Sequence, residues 1–413
     1  MDTKFKKRFR TLMGIDYVFA LIVNASNKVI SYNTMAGSLA VDAGKSVTKQ
    51  ALHKVMTKKS FLKFFEQIFN DVLLKKILSD SKNIQHRFKR VLIQDSTIIK
   101  LPNRLFAEFS GVKNGFTQVA NARIQFALNI LLNNCIHFFL DSYSVNDIAS
   151  KAFAIQEGDL VLRDRGYFSV PEIMRILKAK AHFIYRYKHG ITYLDSTTGK
   201  KIDFLKRLHK SKVTDIKVRL LNADGPIVRL IAIPINIELA NQRRAQLKKQ
   251  ASYIPQKEVL ALLSWSIFIT SIEDEDINYD VIFKLYKLRW RIEILFKAMK
   301  SHLNLDSIHN VSKTQLEFSI LSKLLLMMIL LQFIYEPLAK PVREFYKKDI
   351  SILKLTNFLM NNKEYIADLV ALTLKPPIKD EPLLVLLAKY TTYDKRKKRE
   401  NYQEYLSGCF SLS

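Results

Sequence analysis

Five side chains suited to work on a phosphodiester recur between residues 286 and 300. Tyr286, Arg289, Glu293, Lys297 and Lys300 follow one another at steps of 3, 4, 4 and 3, which puts them on one face of a helix. The stretch lacks Gly and Pro and is rich in Leu, Lys, Arg and Glu, so it predicts one continuous helix. Leu285, Leu288, Ile292, Leu295, Phe296 and Met299 supply apolar flanks that can pack it down. A single carboxylate ringed by cations and a phenol can hold a divalent metal while its neighbours hold the phosphates on which that metal acts. The same face also reads as a solvated surface, with Glu293 and Lys297 as a favourable i,i+4 pair. Taken alone, the helix leaves both readings open.

The order Tyr-x2-Arg-x3-Glu-x6-Lys resembles the last catalytic box of the cut-and-paste DDE transposases of bacterial insertion sequences, the insertion-sequence-4 family. Two upstream stretches are similar to that family's other boxes. Asp95 stands in Gln-Asp-Ser-Thr at the end of Arg90-Val-Leu-Ile, and Asp164 stands in Asp-Arg-Gly-Tyr after Leu160-Val-Leu. The resemblance implies a catalytic, metal-binding triad of Asp95, Asp164 and Glu293 that holds Mg²⁺ or Mn²⁺, as two ions. Such ions, about 3.5–4 Å apart, activate the attacking oxygen and stabilise the leaving one. The attacker would be water for cleavage and a DNA 3′-hydroxyl for strand transfer. The resemblance also implies that Tyr286, Arg289 and Lys300 contact DNA phosphates near the cleaved end. Trp290 adjoins this stripe, and its ring suits either stacking on an extruded base or packing in the core. Asp141 and Asp159 also lie at strand ends and compete for the second acid. Asp164 is preferred because it follows an apolar run and sits in the box.

Composition narrows the class. The 413 residues carry 66 basic and 38 acidic side chains, a net charge of +28. That balance predicts a polyanionic partner, nucleic acid ahead of an anionic membrane. A hydrophobic content of 48% argues against disorder. Two cysteines, Cys135 and Cys409, exclude a disulfide scaffold and a cysteine zinc site, and the eight histidines show no metal-ligand spacing. The longest apolar run, Leu324 to Leu331, is far shorter than the roughly 20 residues of a membrane span and predicts a buried helix. No signal-type apolar core closely follows the basic start of the chain. The expectation is a cytoplasmic, nucleoid-associated protein with no membrane partner.

The elements that must position these residues predict an α/β fold. Strands at Arg90–Ile99, Ala122–Leu132, Cys135–Leu140, Leu160–Leu162 and Ala181–Tyr187, with a helix at Val170–Ala179, follow the order of a ribonuclease-H-like core. Asn133-Asn134 would turn a hairpin. Helices are expected from the caps before Ala51, over Phe61–Leu74 and over Val145–Phe153, and a small-residue loop over Asn33–Gly44. Asn222 to Pro226 would turn a second hairpin, and Asp394 to Glu400 form a charge run. With what the family resemblance implies, the division is a helical N-terminal DNA-binding region (1–86), the first part of the core (87–187), a mainly-β insertion (188–262), the second part of the core with the catalytic helix (263–310), and a helical C-terminal region (311–413). The N-terminal helices suit a helix-turn-helix type of module or a bundle that packs on the core. The expected activity is DNA transposition by a homodimer assembled on double-stranded element ends and target. Two rival readings share the sequence features: a catalytically silent DNA-binding repressor, and a metal-dependent nuclease without strand transfer.

Overall fold

The structure, a computed structural model, describes residues 12–28, 30–68, 87–111, 118–147, 153–221, 224–251, 253–273, 277–309, 311–374, 378 and 381–394. Several expectations fall outside them: the basic start of the chain, the helix 61–74 beyond 68, residues 148–152 of the short helix, residues 222–223 of the second turn, the charge run after Asp394, and Cys409.

The chain begins with helices α1 (Gly14–Asn24), α2 (Tyr32–Ala43), α3 (Lys49–Met56) and α4 (59–68). Helix α2 replaces the loop that its small residues predicted. Ser31 Oγ accepts from the Thr34 N–H at 3.0 Å, and Gly44 closes the helix at φ 63°. With both ends satisfied, Met35 and Leu39 are buried, and that outweighs weak helix propensity. Strands β1 (Arg90–Leu101), β2 (Ala120–Asn129), β3 (Asn134–Ser142) and β4 (Asp159–Arg163) follow, then α5 (Val170–Lys178) and β5 (His182–Arg186). Next come β6 (Tyr193–Asp195), α6 (Phe204–Arg207), β7 (Thr214–Leu220), β8 (Ile227–Pro234), α7 (Ile237–Gln250), α8 (Lys257–Leu262) and β9 (Trp265–Thr270). The rest is helical: α9 (Tyr279–Lys287), α10 (Trp290–His302), α11 (Lys313–Ile329), a π-helical turn (Leu330–Tyr335), α12 (Glu336–Tyr346), α13 (Ile352–Asn361), α14 (Tyr365–Thr373) and α15 (Pro382–Tyr390). The fold class is mixed α/β.

Two compact units divide these elements. The first holds Met1–Gln85, Ser96–Lys151 and Arg291–Tyr402; the second holds His86–Asp95, Ala152–Trp290 and Gln403–Ser413. In the first unit the strand order is β3-β2-β1. Strands β2 and β3 form the antiparallel hairpin expected around Asn133, which takes the left-handed conformation at φ 48°. Phe61 of α4 meets Tyr17 of α1 and Phe318 of α11 at ring distances of 5.7 and 6.5 Å. The run Lys313–Tyr346 is long and apolar enough to cross a membrane, yet 83% of its most apolar window is buried inside the protein. A core helix accounts for that burial.

In the second unit the order is β1-β4-β5-β9-β8-β7-β6. Strands β1, β4 and β5 pair in parallel, and each later pair is antiparallel. Val161, Phe183, Tyr185, Leu230 and Ile269 fill one face of this sheet beneath Ile173 and Ile176 of α5. Ser169 caps α5 by accepting from the Glu172 N–H at 3.4 Å, and Pro171 sits in its first turn.

Candidate active site

The β-branched run Val91 to Ile93 pairs in parallel with Leu160 to Leu162, and the last paired residues are Gln94 and Arg163. Asp95, inside β1, and Asp164, directly after β4, are the next residues of these neighbouring segments. The register therefore sets two carboxylates side by side at the edge where the β1–β4 pairing ends. Asp164 leads into a 3-10 turn (Arg165–Tyr167) but spends no side-chain oxygen on capping it. The residue before it is locked: buried Arg163 donates to Glu172 and to the Tyr185 hydroxyl, the latter at 3.3 Å. Its guanidinium lies 5.0 Å from the Phe153 ring.

Tyr286 and Arg289 close over this edge. The Tyr286 hydroxyl donates to the Arg163 carbonyl at 3.3 Å, directly before Asp164. Burial pushes the Tyr286 phenol up to about 12; the Arg289 charge opposes that shift and the Asp164 charge adds to it. Arg289 Nη1 donates to Asp95 Oδ2 at 3.1 Å, and its guanidinium lies 5.8 Å from the Tyr286 ring. The single helix predicted over 286–300 is in fact two. Leu288 and Arg289 bond back to the carbonyls of Leu285 and Tyr286, both at 3.1 Å, in a tightened turn that ends α9. Arg289 is only 7% exposed and Tyr286 only 4%, so they form no solvated stripe. Pairing with Asp95 and the phenol ring offsets the desolvation of the guanidinium.

The remaining stripe residues belong to α10 in the other unit. Glu293 is half-buried and Lys297 exposed. Lys300 Nζ donates to the Ile98 carbonyl at 3.0 Å. Trp290, which precedes them, is 59% exposed, and a core role does not fit it. Of the competing acids, Asp159 is fully buried and occupied. Arg90 grips it through Nε at 2.8 Å and Nη2 at 2.5 Å, and the Gln156 N–H adds a third bond at 2.7 Å. Asp141 lies within β3, opposite Arg123 of β2.

Among the described residues no three His, Cys, Asp or Glu side chains gather closely enough to hold a metal ion. The adjacent carboxylates of Asp95 and Asp164 do fit a shared hard cation in donor chemistry.

Sequence reasoning missed a pocket of about 110 Å³ beside Asp164. Arg165, Arg186 and Arg243 line it together with Tyr187 and Trp265, and no carboxylate does. Burial, and then the like charge of Arg186, pull Arg243 below its ordinary range. Three cations on an aromatic wall suit a phosphate-bearing ligand. The available signal was Arg165 directly after Asp164; nothing local pointed to α7 as the source of Arg243.

Residues 86–329, more than half of the chain, match the model of the transposase DDE domain. The chain belongs to the DDE transposase family. Among curated relatives, the transposase for insertion sequence element IS231E of Bacillus thuringiensis subsp. finitimus is 25% identical over 358 residues, covering 78% of this chain and 73% of its own. The transposase for insertion sequence element IS1151 of Clostridium perfringens is 24% identical over 347 residues, covering 76% and 72%. Both are insertion-sequence transposases, in keeping with the resemblance of the Tyr-Arg-Glu-Lys box. A loose structural likeness, with a TM-score of 0.36 and 11% identity over 97% of this chain and 83% of the other, is to the piggyBac transposase synaptic complex with hairpin DNA.

Proposed function

We propose that this transposase binds the double-stranded ends of its own insertion sequence, cleaves them, and transfers the 3′ ends to target DNA as a homodimer. Asp95, Asp164 and Glu293 would hold Mg²⁺ or Mn²⁺, as two ions, on a ribonuclease-H-like core. When bound, the ions would supply charge stabilisation and an activated oxygen for in-line displacement. The observation that carries the reading is the β1–β4 register, which makes Asp95 and Asp164 neighbours. The Tyr-Arg-Glu-Lys box supplies Glu293 four residues after Arg289, the partner of Asp95.

The chain's own residues have distinct tasks in this reading. Arg289 pairs with Asp95, and a DNA phosphate would compete for that guanidinium. Tyr286 holds the main chain immediately before Asp164 and keeps its proton at neutral pH. Lys300 would exchange the Ile98 carbonyl for a phosphate. Arg165, Arg186 and Arg243 offer a further phosphate seat, and exposed Trp290 offers a face for a base. The helices of 12–68 would contribute to end recognition.

Excision of a marked element in cells tests the assignment. Asp95→Asn, Asp164→Asn and Glu293→Gln should each abolish the rejoined donor product while the proteins still shift end DNA. Wild-type protein that shifts DNA without excision would favour the silent repressor, and ends cut but never joined would favour the nuclease.

A further inference from the structure

Behind Glu293, on the opposite side of α10, lies a buried polar chain in the first unit. Arg291 is 5% exposed, and at 3.6 residues per turn it faces away from Glu293. Its Nη1 donates to the Tyr335 hydroxyl at 3.1 Å, and its Nη2 donates to Asn133 Oδ1 at 3.1 Å. Its guanidinium also lies 4.6 Å from the Tyr335 ring. The Asn133 amide then donates to Glu336, and the Asn133 carbonyl accepts from Gln332 Nε2 at 3.4 Å. Asn133 thus spends both ends of its side chain and its main-chain oxygen, at the tip of the β2–β3 hairpin.

Gln332 and Tyr335 project from the π-helical turn, and Glu336 directly follows it. That turn has a cause in the sequence. Pro337 has no N–H to bond the Phe333 carbonyl, which accepts instead from Thr373 Oγ1 at 2.9 Å. Widened turns of this kind inside long helices often mark functional positions.

We propose that Arg291, Asn133 and Glu336 form a positioning relay that fixes the rotation and height of α10, and with it the Glu293 carboxylate. The relay rests on the reading of Glu293 as a catalytic residue. An amide in the middle joins a cation to an anion with one polarity only: oxygen toward Arg291, nitrogen toward Glu336. Packing alone would not need that polarity, because any side chain of similar shape would fill the space.

A polarity swap tests it. Asn133→Asp keeps size and tolerates the left-handed backbone, but sets a carboxylate against Glu336. Adding Glu336→Gln restores a donor there and a matched chain. Single-turnover cleavage and binding of DNA carrying the sequences that flank this gene are measured with Mg²⁺. Asn133→Asp should slow cleavage by about 100-fold, the scale of a small misplacement of a catalytic group, while leaving DNA affinity unchanged. The double variant should recover wild-type cleavage within about threefold. The relay is overturned if Asn133→Asp cleaves normally, if cleavage and binding fall together, or if the double variant fails to recover. Should Asn133→Asp not fold, Tyr335→Phe removes one hydroxyl from the chain; cleavage must still slow by about tenfold at constant affinity, the equivalent of one lost hydrogen bond. Glu293→Gln in the same assay separates the two claims. Wild-type cleavage by that variant would sink the assignment of Glu293, whereas an inactive Glu293→Gln beside a normal Asn133→Asp would sink the relay alone.

Discussion

Lys323 should make this protein more stable in mild alkali. It sits in the middle of α11 with 1% of its surface exposed. Its ammonium donates to the carbonyls of Ala25 and Leu303, both at 2.7 Å, and of Asn27 at 3.2 Å. One side chain thereby ties the end of α1 and the end of α10 to α11. Burial pulls its pKa down from 10.5 to about 8. Between those values the unfolded chain still binds a proton that the folded chain has released, so stability rises with pH across the window. The gain is at most about 3 kcal/mol. The three carbonyls favour the charged form and trim that ceiling. Lys323→Met removes the titration altogether. At pH 7 it also removes a desolvated charge but strands three carbonyls, effects of opposite sign. Urea unfolding of both proteins at pH 7, 8, 9 and 10 isolates the effect, because all other titrations cancel in the difference. The wild type should gain on Lys323→Met steadily above pH 8. Parallel curves from pH 7 to pH 10 would refute the reasoning.

Three other outcomes follow from contacts described above. Asp159→Asn leaves Arg90 facing an uncharged partner in a buried site, so it should cost about 3–5 kcal/mol in urea unfolding; a cost below 1 kcal/mol would mean the fork contributes little. Trp290→Ala should change stability by less than about 0.5 kcal/mol yet weaken end-DNA binding by about 1–3 kcal/mol, the value of one stacked base; unchanged binding in a mobility-shift titration would remove Trp290 from the interface. Arg165→Gln should lower the slope of log affinity against log salt by about 1, and an unaltered slope would leave the arginine pocket without a phosphate.

Particular residues show what the sequence disclosed and where it stopped. The strands that carry Asp95 and lead to Asp164 were legible because β-branched and aliphatic runs precede both acids, although β1 runs on past Asp95 to Leu101 instead of ending there. The hairpins at Asn133 and between β7 and β8 were legible from alternation and turn residues. The break between α9 and α10 was hidden, because every residue from Leu285 to Arg291 is an acceptable helix former. At the break Arg289 pairs with a carboxylate 194 residues earlier, a contact that no local pattern announces. Helix α2 was hidden for the converse reason: its small residues signal a loop, and its caps and the burial of Met35 and Leu39 override them. Asp159 looked like a rival to Asp164 until Arg90, 69 residues away, was seen to occupy it. The arginine pocket draws on three segments distant in sequence, and no local pattern encodes such convergence.

Nick mapping on DNA that carries the sequences flanking this gene tests the central claim most directly. Wild-type protein and Asp164→Asn are incubated with that DNA and Mg²⁺, and the cut positions are read at single-nucleotide resolution. The wild type should leave discrete nicks at the element's 3′ ends and Asp164→Asn none, at equal DNA binding. The same nicks from both proteins would contradict it and place the chemistry away from the β1–β4 edge.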